Sequence, residues 1–320
     1  MEKTYSPVKN YIIKLNSILQ NDKDSINIVA ESLKTRGYSF IRLHDELVHE
    51  IDISMMLMES FFLKSKEYKT QYFKKPIFGY FGVDHKESFR LLTGTRMNEH
   101  KFPENLDKLK SLIQTVDQIM YSLSLMLAPS LFPNLLTDAK KHDIPFFDIG
   151  KQWGMFDIAK YQNDGTRKDI NCKEHYDPGL LSLSLRSTQP GLQLLDEFGK
   201  WIKTPEDNSI AILWAGKAAT RLNSKIKPGV HRVVVPDTFG KPRIAMWHEI
   251  CTNAQEHKEL IKQELDKKVT IDPYKFEGQT GIPMSKSMAP IKPPTSISQV
   301  TKSRSVQPTN IFPYIPLLSR

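Results

Sequence analysis

The run Leu181-Ser182-Leu183-Ser184-Leu185 alternates apolar and small polar residues. In extended chain every second residue shares a face, so this run makes a strand with one apolar side, whereas a helix would scatter its leucines around the axis. Runs of the same kind recur beyond Pro145, at 154–161, 175–185, 191–195, 209–214, 230–235 and 243–248, each bounded by turn residues. Short strands in such succession bury their apolar sides by packing sheet on sheet, as in a sandwich or barrel.

Before Pro145 the period changes. Asp24-Ser25 can cap a helix ending near Thr35-Arg36, with Gly37 just past its end. Residues 38–43 then alternate as a strand, and 46–66 return to a helical spacing of Ile51, Met55, Met58 and Phe62. The glycines and aromatics of 72–95 suggest loops or short extended pieces, whereas 104–127 carry a long core-facing helix, from Leu109 and Leu112 through Leu123 and Leu127. A closing helix is expected over 254–268.

From Gly278 onward the chain is rich in Pro, Ser, Thr and Lys, a composition that buries too little surface to offset the entropy of ordering. The expected organisation is a mainly helical region at 1–145, a β domain with its closing helix at 146–270, and a disordered tail at 278–320. The fold class is mixed α and β with a mainly β core. The tail, with its apolar end Ile311-Phe312, is the place where a protein partner would dock. Its five basic residues and no acid account for most of the net charge of +9, leaving +4 for the body, 9 minus 5. That distribution argues against a nucleic-acid-binding body. No apolar run is long enough to span a bilayer, the N-terminus has no secretory pattern, and two cysteines cannot build a disulfide framework. A soluble, cytoplasmic protein is the expectation.

Directly ahead of the leucine run stands His175-Tyr176-Asp177. If the strand begins at His175, its imidazole and the Asp177 carboxylate project from one face, and a distant histidine would complete the three-ligand set typical of non-haem Fe(II) oxygenases. His231 suits that place, opening the strand-like run after Lys227-Pro228-Gly229, and Arg243 opens the next run. A guanidinium beside a metal pocket can clasp a carboxylate with two parallel hydrogen bonds. His44-x-Glu46 and His85-x-Glu87 repeat the spacing of His175-x-Asp177 but precede no alternating strand, and Cys172 is a conceivable further ligand.

These residues resemble the Fe(II)- and 2-oxoglutarate-dependent dioxygenases, in particular the branch of isopenicillin N synthase and the plant flavonoid and hormone oxygenases. The resemblance runs from His175-Tyr176-Asp177-Pro178-Gly179-Leu180 through Gly191-Leu192-Gln193 and Gly199-Lys200-Trp201 to His231-Arg232-Val233 and Arg243, with Arg36-Gly37-Tyr38 and Phe61-Phe62 upstream. It implies a double-stranded β-helix, or jelly-roll, carrying N-terminal helices. It further implies that His175, Asp177 and His231 bind Fe(II), that Arg243 holds the distal carboxylate of 2-oxoglutarate, and that Tyr161 assists there. The implied reaction consumes O2, converts 2-oxoglutarate to succinate and CO2, and oxidises a C–H bond of a small molecule, with ascorbate as an auxiliary reductant. No separate general base is implied.

One departure bears on the co-substrate. The family pattern is Arg-x-Ser, and here it reads Arg243-Ile244-Ala245. The missing hydroxyl leaves open an oxidase of the same fold that does without 2-oxoglutarate, and a non-catalytic protein acting through its basic tail is the reading furthest from it.

Overall fold

The computed structural model describes residues 11–73, 78–83, 86–133, 154–165, 170–236 and 240–250. The expected helix at 254–268, the tail from Gly278 and the boundary near residue 145 lie outside them.

Two sheets make the core. The larger has eight strands, in the order β1 (Ile12–Lys14), β2 (Tyr38–Arg42), β10 (Ile210–Ala215), β7 (Leu181–Ser187), β12 (Arg243–Ile250), β5 (Gly154–Tyr161), β4 (Lys86–Leu92) and β3 (Gly79–Val83). The smaller has four, β6 (Ile170–His175), β11 (His231–Val234), β8 (Leu192–Leu195) and β9 (Trp201–Lys203). This is the jelly-roll arrangement. Helices from the first half of the chain, α1 (Leu15–Leu19), α2 (Lys23–Thr35), α3 (Asp45–Phe62), α4 (Lys66–Thr70) and α5 (Asp107–Leu131), accompany it, and α6 (Lys217–Leu222) follows β10.

The strands of the large sheet are buried on both sides, and alternation sorts their residues. Leu181, Leu183 and Leu185 of β7 and Ala211, Leu213 and Ala215 of β10 join one apolar cluster with Val116, Met120 and Leu123 of α5. Ile210, Ile212 and Trp214 of β10 join a second cluster with Cys172 of β6, Leu194 of β8 and Val233 of β11, between the sheets. Ser182 and Ser184 therefore turn away from the helices, and Ser182 is fully buried. Asp117 fixes α5 to the sheet, its carboxylate accepting from the Thr93 hydroxyl at 2.5 Å and meeting His248 of β12 at 2.8 Å.

Several boundaries differ from expectation. Asp22, rather than Asp24 or Ser25, caps α2, its carboxylate accepting from the Ser25 amide at 3.0 Å. The expected strand 175–185 is two strands in different sheets, because Pro178-Gly179 breaks the ladder and the chain crosses from β6 to β7. Residues 79–92, expected to be loop or short extended pieces, form the β3–β4 hairpin at the edge of the large sheet. Its charges read as loop because Lys86 and Arg90 are on its buried face.

Candidate active site

His175 is the last residue of β6 and His231 the first of β11, and the two are register partners in the small sheet. Their rings lie 4.2 Å apart between centres. Asp177 is on the crossover, not on a strand shared with His175, so the expected one-faced pair of ligands is replaced by a loop that folds the carboxylate back between the sheets. Two residues of the large sheet hold it there, the Ser182 hydroxyl donating to Oδ2 at 2.5 Å and the Trp214 indole at 2.7 Å.

The hydrogen bonds also set the two rings. His175 Nδ1 lies 2.8 Å from the Lys173 carbonyl, and His231 Nδ1 lies 2.9 Å from the Gly229 carbonyl. A carbonyl only accepts, so Nδ1 carries hydrogen in both rings and Nε2 is the atom turned to the site. Asp177 Oδ1 stands 4.0 Å from Nε2 of His175 and 3.8 Å from Nε2 of His231. These gaps are too long for hydrogen bonds, and all three atoms lie within 4.8 Å of one another, the spacing of groups that share a central partner. Burial and the neighbouring His175 hold His231 down to about 4, so its lone pair is available at neutral pH. Burial opposes charge on His175 as well, but Cys172 and Asp177 outweigh it and raise this ring to about 9.

Two imidazole nitrogens and one carboxylate oxygen, each oriented by a further hydrogen bond, fit a divalent first-row metal such as Fe(II). Cys172 does not join them. Its sulfur is 3.7 Å from His175 Nδ1, on the ring edge away from Nε2. Of the two similar tripeptides, His44 is a helix cap, accepting from the Leu47 amide at 3.2 Å, and His85 lies outside the described residues.

The three groups line a cavity of about 70 Å³ together with Tyr161, Arg243 and Ala245. Arg243 opens β12, in the large sheet, and not a strand next to His231 as the sequence suggested. It is 1% exposed, and its Nε donates to the carbonyls of Gln189 at 3.1 Å and Pro190 at 3.2 Å, yet its Nη1 has no hydrogen-bond partner. A buried guanidinium nitrogen left in this state is costly unless a ligand satisfies it. Tyr161 is the register partner of Arg243 on β5, with the guanidinium 5.9 Å from its ring centre. Burial keeps the Tyr161 phenol protonated, its pKa well above the ordinary value. Ser182, Trp214, Lys86, Arg90 and Glu249 are site residues that the sequence did not disclose. For Ser182 a signal existed, since the polar side of β7 had to face something.

Residues 155–252 match the profile of the 2OG-Fe(II) oxygenase superfamily. A search of the curated proteins finds no match. Among solved structures, the chain is similar to a full-length Neurospora crassa protein bound to alpha-KG and 5-formyluracil, at 20% identity and a TM-score of 0.61, covering 79% of this chain and 89% of that one. It is also similar to the dioxygenase for auxin oxidation 1 of Arabidopsis thaliana, in its 2-oxoglutarate complex, at 16% identity and a TM-score of 0.60, covering 75% and 92%. A third likeness is the rice dioxygenase for auxin oxidation, at 14% identity and a TM-score of 0.62, covering 85% and 99%. At such identities the neighbours speak for the fold, and the profile match falls on the strands that carry Tyr161, both histidines, Asp177 and Arg243. The chain belongs to the 2OG-Fe(II) oxygenase superfamily and is an Fe(II)- and 2-oxoglutarate-dependent dioxygenase, an oxidoreductase whose family uses Fe(II), 2-oxoglutarate and O2.

Proposed function

We propose that the chain oxidises a C–H bond of a small molecule, with His175, Asp177 and His231 holding the iron and Arg243 holding the distal carboxylate of 2-oxoglutarate. The observation that carries this reading is the pairing, in one cavity, of three convergent ligand atoms with the unsatisfied Nη1 of Arg243. The balanced reaction takes 2-oxoglutarate, O2 and R–H to succinate, CO2 and R–OH, one oxygen atom entering succinate and the other the product. Bound iron would supply the activation of O2 that no side chain can provide.

The protein's part is positional. The carbonyls of Lys173 and Gly229 fix the imidazoles, Ser182 and Trp214 fix the carboxylate, and the buried walls exclude bulk water. Tyr161 lies against the guanidinium as a neutral phenol and steadies the carboxylate-binding end. Ala245 lines the same cavity and offers no hydroxyl, so one contact common in the family is absent, at a cost of about 0.5 to 1.5 kcal/mol in co-substrate binding. An oxidase that dispenses with 2-oxoglutarate has only this alanine in its favour and leaves the Arg243 Nη1 unexplained. The expected domain division and the kinship to the isopenicillin N synthase branch belong to the same proposal.

The test is succinate release from 2-oxoglutarate by the Fe(II)-loaded chain, screened against pooled small metabolites. Release that requires iron and O2, and is abolished in Asp177→Ala, is the expected result. No release with any metabolite, coupled or uncoupled, overturns the proposal.

A further inference from the structure

Three strands of the large sheet, β12, β5 and β4, bring a second cation to the Arg243 end of the cavity. Tyr161 is the register partner of Arg243 on one side and of Lys86 on the other. Residues directly opposite across neighbouring strands point to the same face, so Arg243, Tyr161 and Lys86 form one row spanning about 10 Å of backbone. Both cations lie against the same phenol ring, the Lys86 ammonium 5.6 Å and the Arg243 guanidinium 5.9 Å from its centre. Both line the same cavity, and Lys86 is only 3% exposed.

A buried ammonium is expensive, and burial does push Lys86 below its usual range, though the charge of Asp157 works the other way. Among the described residues, the ionised carboxylates on this side of the cavity are fewer than the cations. Asp157 already accepts at Oδ2 from Arg90, from Nε at 2.7 Å and from Nη2 at 2.5 Å. Glu249 is held as the neutral acid by burial and by the nearby Asp177, and accepts from the Gly179 amide at 2.7 Å. On this wall three cations, Lys86, Arg90 and Arg243, face the single ionised carboxylate of Asp157, an excess of two positive charges, 3 minus 1. An anionic ligand group is what such a wall is built to receive.

We propose that Lys86 is a second cationic contact for the distal carboxylate of 2-oxoglutarate, acting beside Arg243 where Ala245 offers no hydroxyl. The inference rests on the co-substrate reading of Arg243 given above. Lys86 thereby becomes a binding residue contributed by an N-terminal strand, so that the hairpin β3–β4 completes the pocket rather than only extending the sheet.

The experiment is calorimetric binding to the full-length, Fe(II)-loaded chain without O2, using 2-oxoglutarate and 2-oxobutanoate, which keeps the 2-oxo acid but lacks the distal carboxylate. In Lys86→Met the preference for 2-oxoglutarate should fall about tenfold or more, the scale of one lost charge-assisted hydrogen bond, with 2-oxobutanoate binding unchanged. An undiminished preference in that variant overturns the role of Lys86. Arg243→Met supplies a second measurement that does not depend on Lys86 variants folding. With Lys86 in place it should keep a residual preference for 2-oxoglutarate, and complete loss of discrimination overturns the inference. A wild-type chain that fails to discriminate the two acids overturns the co-substrate reading itself, and the role of Lys86 with it.

Discussion

Asp177 has its two oxygens assigned to different tasks. Oδ2 is engaged by Ser182 and Trp214, leaving Oδ1 toward the imidazoles, and burial is outweighed by the two histidines and these donors, so the carboxyl titrates below its usual range. Ser182→Ala removes one donor from a buried anion, and it should weaken Fe(II) or Mn(II) binding by about 10-fold to 100-fold. Metal titration followed by Trp fluorescence checks this, with His44→Ala as the contrast. That variant removes a helix cap, lowering stability by about 0.5 to 2 kcal/mol, and should leave metal affinity as it was. The ligand identities were legible in the sequence because His175, His231 and Arg243 each sit at the edge of a strand-like run. The orientation of Asp177 was not, since Ser182 read as the solvent side of β7 and Trp214 as an ordinary apolar residue.

Between elements, the turn that presents His231 is braced by the one after α2. Gly37 adopts φ +85°, and a Cβ placed there would come within 2.6 Å of the Pro228 carbonyl oxygen. Its own carbonyl accepts from the Ala215 amide at 2.9 Å, and the Ala215 carbonyl accepts from the Gly229 amide at 2.8 Å. Gly37→Ala combines left-handed backbone strain of about 1 to 2 kcal/mol with that clash, so the turn must shift. The expected result is a lowered denaturation midpoint together with weakened metal binding, because Gly229 also orients His231. Unchanged metal affinity in a folded variant would show that the two turns are independent. The sequence marked Gly37 as a helix terminator and 227–229 as a turn. It contained no sign that they touch, since strand order in a sheet is a long-range property. The single-strand reading of 175–185 failed for a local reason, because Pro178-Gly179 should have divided it.

Across the molecule, a buried charge cluster joins the N-terminal helices to the sheet. Glu87 of β4 receives the Lys69 ammonium of α4, the Tyr80 hydroxyl of β3 at 2.7 Å and the Lys160 ammonium of β5 at 3.3 Å. Burial alone would raise its pKa, but the hydrogen bonds from Lys69 and Tyr80 and the positive charges of Lys160 and Lys69 more than reverse this and lower it from 4.5. A carboxyl whose folded pKa is depressed adds stability that is complete above its unfolded value and is lost as pH falls through the folded one. Chemical denaturation at a series of pH values should therefore show an acid limb below about 4.5 that is shallower in Glu87→Gln. An identical limb in the variant would assign the acid sensitivity to other groups. The large sheet, with helices against one side and the cavity against the other, also separates two kinds of change. Substitutions at Leu181, Leu183 or Leu185 alter how tightly the helices hold, while those at Ser184, Ala245 or Trp247 alter what the cavity accepts. A lineage built on this sheet can explore new substrates along one register of residues without renegotiating its folding along the other.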